Sequence, residues 1–234
     1  ASALKQFRID TIMHFAASAY VGESVTNPAL YYENNIGGMI ALLDAARAAD
    51  VSQIVFSSSC ATYGVPEVLP ISEYTPQAPI NPYGRTKLMC EQILRDYGAA
   101  YGIRHVALRY FNVAGSGDDS RADNFATNLI PQVLRRIVAG ERPQIFGLDY
   151  DTEDGSCVRD YIHVVDLAEA HILTLKAIEA AGEAWNFTAY NIGTGTGYSV
   201  IEVVNRALAV TGTELTYSVA ERRPGDPALP DLGS

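Results

Sequence analysis

At 234 residues, with 48% hydrophobic and 19% charged side chains, the chain can bury a substantial core in one large domain or two closely packed ones. A formal net charge of −10 and a pI of about 4.8 argue against nucleic acid as a partner. No apolar run is long enough to span a membrane, no basic-then-apolar signal opens the chain, and Cys60, Cys90 and Cys157 suit free thiols better than a disulfide framework, so a cytoplasmic protein is expected.

Asp10 to Phe15 reads as a buried strand. Asn27-Pro28 opens a helix in which Tyr31, Ile36, Ile40, Leu43 and Ala46 recur at helical spacing. Val51 to Phe56 is the next strand, and it ends in Ser57-Ser58-Ser59-Cys60. A loop rich in proline and polar residues runs from Gly64 to Asn81. Pro82 then stands in the first turn of a helix with Leu88, Ile93 and Leu94 on its apolar face. Arg104 to Phe111 is a further strand. This alternation of strand and helix predicts a parallel sheet with helices on both faces.

After Asn112 the texture changes. Val113 to Asn124 reads as a loop, Leu129 to Val138 as a helix and Gln144-Ile145-Phe146 as a short strand. A polar loop, Asp149 to Gly155, follows; it lacks the ligand order of a calcium loop. Val164 to Ile178 is helical, Trp185 to Ile192 is a strand, and Ser199-Val200-Ile201-Glu202 is a capping box that opens the last helix. Gly193-Thr194-Gly195-Thr196-Gly197 follows a strand and precedes a helix, but its spacing is not that of a dinucleotide fingerprint, and it reads as a flexible turn. Nothing before Asp10 supplies the strand, glycine-rich turn and helix N-terminus that would receive a pyrophosphate. The four histidines show no metal-ligand spacing, His163 reads as a structural hydrogen-bonding residue, and no metal is expected.

The residues that carry chemistry are Ser59, Tyr83 and Lys87. A tyrosine and a lysine at i, i+4 face the same side of a helix. An ammonium near a phenol favours the phenolate and lowers a tyrosine pKa from about 10. A phenol so tuned can act as a general base near neutral pH, and a serine at a strand end can hold the reacting oxygen by hydrogen bonding. Ligands gather at the carboxyl ends of parallel strands, where this group is expected. Together these residues suit the movement of a proton and a hydride on and off an alcohol. Cys60 beside Ser59 has no basic partner in sequence and reads as a buried small residue rather than a nucleophile.

From about Ile12 to Asp226 the chain resembles the UDP-glucose 4-epimerase group of the extended short-chain dehydrogenase/reductase family. The resemblance rests on ordered blocks: His14-Phe15-Ala16-Ala17, Val21-Gly22-Glu23-Ser24, Tyr31-Tyr32-Glu33-Asn34-Asn35, Ser57-Ser58-Ser59 with Tyr63-Gly64, and Pro82-Tyr83-Gly84 with Lys87. Leu108-Arg109-Tyr110-Phe111-Asn112, Tyr190-Asn191-Ile192-Gly193 and Arg222-Arg223-Pro224-Gly225-Asp226 extend it. The aspartate-rich loop after Phe146-Gly147, joined to Arg159-Asp160-Tyr161-Ile162-His163-Val164, is the part most specific to the epimerase group.

The resemblance implies an α/β fold: a partial Rossmann-like, doubly wound parallel sheet with a smaller mixed α/β substrate domain. Residues 1–113 would form part of the NAD-binding domain. Residues 114–234 would mainly bind the UDP-sugar, with part of 160–195 returning to the first sheet. It implies NAD as cofactor, Tyr83 as the group that takes the 4-hydroxyl proton, Ser59 as the holder of the 4-oxygen, and Lys87 as the residue that lowers the Tyr83 pKa and binds the nicotinamide ribose. The implied cofactor contacts are Phe15, Ala16, Ala17, Asn34, Ser57, Ser58, Tyr83, Lys87 and Tyr110. The implied substrate contacts are Ser59, Asn112, Asn128, Leu129, Phe146, Arg159, Arg223 and Asp226, with the two arginines suited to phosphate oxygens by their planar forks. A homodimer through the 28–48 and 83–100 helices is also implied.

The same comparison marks departures. Roughly 65 residues that open the family's fold have no counterpart here, by the usual size of an α/β unit; they would carry the glycine-rich loop and the acidic residue for the adenosine ribose. The family's C-terminal tail has no counterpart either. Ala19 stands where many relatives have a basic residue, and Pro230 stands at a position that gates sugar size. Dehydration is excluded as a rival, because Cys60-Ala61 replaces the Asp-Glu pair needed to protonate a leaving hydroxyl. Epimerisation of UDP-xylose and UDP-arabinose uses the same residues and stays open, as does an inactive, cofactor-deficient fragment that at most binds UDP-sugar.

Overall fold

The computed structural model describes residues 1–122, 128–185 and 188–222. After a short helix α1 (Ser2–Gln6), strand β1 (Thr11–His14) enters the main sheet. Helices α2 (Val21–Thr26), α3 (Pro28–Tyr31) and α4 (Gly38–Arg47) lead to β2 (Gln53–Ser57). Helix α5 (Pro82–Tyr101) and strand β3 (Arg104–Tyr110) follow. The second half holds β4 (Asn112–Ala114), α6 (Leu129–Val138), β5 (Gln144–Phe146), β6 (Val158–His163), α7 (Val164–Ala181) and β7 (Thr188–Ile192). It closes with β8 (Gly197–Ser199), α8 (Val200–Thr211) and β9 (Ser218–Ala220).

The main sheet is all parallel, in the order β1-β2-β3-β7. Every residue of β2 is buried, as a strand covered on both faces requires. Its side chains alternate. Ile54 and Phe56 join Met39, Leu43 and Ala46 of α4 and Cys90 and Leu94 of α5 in one core cluster. Val55 joins Val106, Leu108 and Ile178 of α7 in a second cluster on the opposite face. The parallel sheet with helices on both faces, expected from the alternation, is therefore what forms. Each fully buried Leu or Ile here contributes about 1.5–3 kcal/mol relative to exposure.

Two smaller sheets stand apart from it: β4-β6-β8, with a parallel β4–β6 pair and an antiparallel β6–β8 pair, and the parallel pair β5-β9. Val133 and Ile137 of α6, Ile145 of β5 and Val204 of α8 pack together beside them.

The structure departs from the sequence expectations at several points. The helix expected from Asn27 onward is interrupted by a π-helical stretch, Tyr32–Gly37, between α3 and α4. That extra residue turns Asn35 inward, where its amide donates to the Ser18 carbonyl (3.0 Å) and to Thr86 Oγ1 (3.0 Å). The expected loop from Val113 contains the end of β4, and its last positions, from Asp123, lie outside the described residues. The glycine-rich turn at 193–197 is not free. Buried Asp160 accepts from the Thr194 amide (2.9 Å), the Thr194 hydroxyl (2.7 Å) and the Gly195 amide (2.9 Å). A Cβ on Gly193 would lie 2.5 Å from Asp160 Oδ2, so glycine is what lets the turn close on the carboxylate.

Candidate active site

Residues Ser57, Ser58 and Ser59 leave the carboxyl end of β2, where a parallel sheet presents its ligand crevice. Ser59 caps the short 3-10 turn Cys60–Thr62 by accepting from the Ala61 amide at 3.2 Å. Helix α5 starts against that turn. Asn81 is its N-cap and accepts from the Gly84 amide at 2.8 Å, Pro82 occupies its first turn, and Gly102 ends it in the left-handed region at φ +70. The approach is close because residue 84 has no side chain: a Cβ there would lie 2.4 Å from the Ala61 carbonyl oxygen.

This start brings Tyr83 beside Ser59, close enough for the serine side chain to act on the phenol. One turn on, buried Lys87 donates to the Ser57 carbonyl at 2.6 Å, with its ammonium 5.8 Å from the centre of the Tyr83 ring and 5.0 Å from that of Phe56. The Ser57 hydroxyl is hydrogen-bonded to the Tyr110 hydroxyl. Ser57, Ser59, Tyr83, Lys87 and Tyr110 therefore form one connected group.

The electrostatics differ from the sequence expectation. Burial pushes the Tyr83 phenol up, well above its ordinary value; the Ser59 hydrogen bond acts in the opposite direction without prevailing. The Lys87 ammonium donates to the Ser57 carbonyl and is itself desolvated. Burial brings Lys87 down from 10.5 to about 8. His14, stacked on Phe56 with ring centres 5.9 Å apart, is also lowered, first by burial and then by Lys87.

The other cofactor candidates surround this group. Phe15 is 54% exposed at the end of β1, with its ring centre 4.8 Å from that of His171 on α7. Ala16 is exposed and Ala17 half-buried. Exposed Asn34 donates to the Ser18 hydroxyl at 3.1 Å. His171 donates from Nδ1 to the Leu167 carbonyl (2.8 Å), while its buried Nε2 has no hydrogen-bond partner among the described residues. An aromatic wall, small alanines, hydroxyl and ammonium donors and an unsatisfied buried nitrogen fit a flat heteroaromatic ring that carries polar edges.

The substrate candidates ride on other elements. Half-buried Asn112 opens β4 in register with Tyr161, and half-buried Arg159 lies on the neighbouring β6 and donates to the Val158 carbonyl at 3.1 Å. Exposed Asn128 is the N-cap of α6, Leu129 is its first residue, and Phe146 ends β5. Beyond Phe146 an open cleft of about 730 Å³ is lined by Gly147, Leu148, Asp149, Val219, Ala220, Glu221 and Arg222. There Arg222 donates to Asp149 Oδ1 at 2.6 Å and lies 3.8 Å over the Tyr150 ring. Arg223, Asp226 and Pro230 lie outside the described residues.

Two remaining expectations have plain outcomes. His163 caps α7 by accepting from the Val165 amide at 3.3 Å, a structural role. Cys60 is half-buried rather than buried, since it lies in the turn and not beneath it; all three cysteines are free thiols. Among the described residues no group of His, Cys, Asp or Glu could hold a metal ion, and no helix is long and apolar enough to cross a membrane.

The sequence reading missed a buried pair just behind the serines. Arg109 of β3 makes a bidentate contact with Glu91 of α5, Nη2 to Oε2 at 2.7 Å and Nε to Oε1 at 3.0 Å, with the two side chains 4% and 1% exposed. The Ser58 hydroxyl donates to the same carboxylate. A signal was present: Glu91 continues the four-residue spacing of Tyr83 and Lys87, so it lies on the buried face and needs a partner there.

Residues 1–193 match the profile of the NAD dependent epimerase/dehydratase family. The chain is 50% identical over 228 residues to UDP-glucose 4-epimerase of Lactobacillus helveticus, covering 96% of this chain and 68% of that one. It is similar to the crystal structure of UDP-glucose 4-epimerase from Brucella ovis in complex with NAD, with TM-score 0.91 and 46% identity over 100% of this chain and 72% of that one. The corresponding structure from Bifidobacterium longum, in complex with NAD+ and UDP, gives TM-score 0.89 and 40% identity over 99% of this chain and 70% of that one. The chain spans about two thirds of the length of the curated relatives it matches.

Proposed function

The chain belongs to the NAD dependent epimerase/dehydratase family and within it to the UDP-glucose 4-epimerases, and from that premise we infer that it serves the NAD-dependent interconversion of UDP-glucose and UDP-galactose. The observation that carries this reading is the contact of Tyr83 with Ser59 at the carboxyl end of the sheet, with Lys87 one turn away. When bound, NAD supplies the hydride acceptor for C4 of the sugar, the donor for its return, and a positive charge that favours a nearby phenolate.

The chain's own residues supply the rest. Ser59 holds the 4-oxygen. Tyr83 takes the 4-hydroxyl proton and returns it after the 4-keto sugar has presented its other face. Lys87 holds the Ser57 carbonyl and offers its remaining hydrogens to the nicotinamide ribose. Phe15, Ala16, Ala17, Asn34, Ser57, Ser58 and Tyr110 are assigned to the cofactor; Asn112, Asn128, Leu129, Phe146, Arg159, Arg223 and Asp226 are assigned to the UDP-sugar. The open cleft beyond Phe146, with Arg222 stacked on Tyr150, supports a place there for the nucleotide end. Residues 1–113 are assigned to the cofactor domain and 114–234 mainly to the substrate domain, with β7 within 160–195 paired to β3 of the first sheet.

Exposed Ile40 on α4, with Met89 and Tyr101 on α5, supports a homodimer through these helices, which sedimentation at micromolar concentration tests. The free thiols support a cytoplasmic location. The functional test is proton NMR of UDP-galactose incubated with the NAD-loaded protein, with UDP-xylose in parallel. Appearance of UDP-glucose without net NADH supports the reading; conversion of UDP-xylose alone would replace it with a pentose epimerase.

A further inference from the structure

The three serines at the end of β2 are each fastened to a different turn of α5. The Ser57 carbonyl accepts from Lys87, the Ser58 hydroxyl donates to Glu91, and the Ser59 side chain lies beside Tyr83. Positions 83, 87 and 91 recur every four residues and line one helix face. The function proposed above uses the first and third contacts. The second, between Ser58 and Glu91, is not used there, although Ser58 itself is assigned to the cofactor, and it is backed by a buried ion pair.

That backing can be followed outward. Arg109 grips both Glu91 oxygens and also donates to the Tyr63 hydroxyl at 2.9 Å. Tyr63 in turn donates to Asn191 Oδ1 of β7 at 2.7 Å, and Asn191 donates to the Ile71 carbonyl at 2.8 Å. The network therefore joins α5, β3, β7 and the loop after β2, and it meets the serines at the end of β2 through the Ser58 hydroxyl. An ion pair this deeply buried is a poor device for stability alone, because two desolvated charges can often be replaced by apolar side chains without loss. What such a pair does well is fix geometry, since its bidentate contact tolerates little displacement.

We propose that Glu91, held by Arg109, is a positioning residue: through Ser58 it fixes the end of β2 against α5, so that the adjacent Ser59 hydroxyl meets Tyr83. The consequence for turnover rests on the reading that Ser59 and Tyr83 act on the sugar; the consequence for geometry does not.

Two variants test it, E91Q and S58A. Gln at 91 faces the Arg109 donors with an amide of its own, and S58A removes only the hydroxyl link while leaving the ion pair in place. Crystal structures of both chains are expected to show the Ser59 side chain displaced from Tyr83. In the NAD-loaded protein, kcat is expected to fall roughly ten- to a hundredfold in both variants, with KM for the UDP-sugar within about twofold of wild type and, in E91Q, NAD content within about twofold as well. The double variant is expected to fall no further than E91Q. Ser59 in its wild-type place against Tyr83 in both structures overturns the proposal. So does a folded S58A that keeps wild-type kcat, or a double variant whose loss is the product of the single losses. If E91Q does not fold, S58A alone decides between these outcomes. Displacement of Ser59 from Tyr83 in a protein whose wild type does not epimerise UDP-sugars upholds the positioning role and removes the function instead.

Discussion

Arg109→Met isolates the energetic role of the buried pair. The substitution leaves the Glu91 carboxylate, 1% exposed, with the Ser58 hydroxyl and the Gln77 amide (3.2 Å) as hydrogen-bond donors and the Coulombic attraction of Lys87 in place of a paired guanidinium. Stranding a buried charge in this way costs about 3–5 kcal/mol. Loss of the donations to the Tyr63 hydroxyl (2.9 Å) and the Glu73 carbonyl (3.3 Å) adds about 1 kcal/mol. The expected loss is therefore about 4–6 kcal/mol, a large share of the roughly 5–15 kcal/mol that holds a domain folded. Removing both charges in R109M/E91L takes away the stranded carboxylate and is expected to recover at least about 2 kcal/mol. Urea titrations followed by far-UV circular dichroism and by Trp185 fluorescence measure both quantities. A single-variant cost below about 1 kcal/mol, or a double variant whose cost is the sum of the two singles, would refute the reasoning.

Tyr83→Phe is expected to lower kcat by about 10²–10⁴ while leaving calorimetric UDP binding within about twofold; wild-type turnover in that variant contradicts the assigned proton transfer. Lys87, whose pKa is lowered from 10.5 to about 8, binds its proton more weakly in the folded than in the unfolded chain, so its burial cost is fully present below pH 8 and is relieved as pH rises from there toward the unfolded value. Thermal melts of the unliganded chain should therefore show wild type gaining on K87M between pH 8 and 9 by about 1 kcal/mol; a pH-independent difference contradicts the lowered value. Gly84→Ala places a methyl 2.4 Å from the Ala61 carbonyl oxygen. It is expected to cost about 1–3 kcal/mol and to reduce kcat with it, and unchanged melting and turnover would show that α5 does not depend on that approach.

The elements that position the site were legible where a local pattern determines them. β2 could be read because a buried parallel strand must be a continuous apolar run, and α5 because Asn81-Pro82 is a cap followed by a helix-compatible first turn. The strands β4, β8 and β9 are three residues long; they exist because distant partners offer hydrogen bonds, which no local pattern encodes. β6 carries Arg159, Asp160 and His163 among its apolar residues, because Asp160 serves the 193–197 turn and His163 caps α7. The π-helical stretch was hidden for a similar reason: Asn35 is drawn inward by Ser18 and Thr86, far from it in sequence. Tyr83 and Lys87 were found through their spacing, but the direction of the Tyr83 shift was not. Spacing shows that the two can meet; burial, which decides the sign here, appears only when the helix is packed against β2.

The most direct test of the account is the fate of hydrogen at C4. UDP-galactose deuterated at that carbon, incubated with the NAD-loaded protein in ordinary water, is predicted to yield UDP-glucose that keeps deuterium at C4, seen by mass spectrometry and NMR. Product with solvent hydrogen at C4, or no product from a folded and NAD-loaded protein, would contradict it.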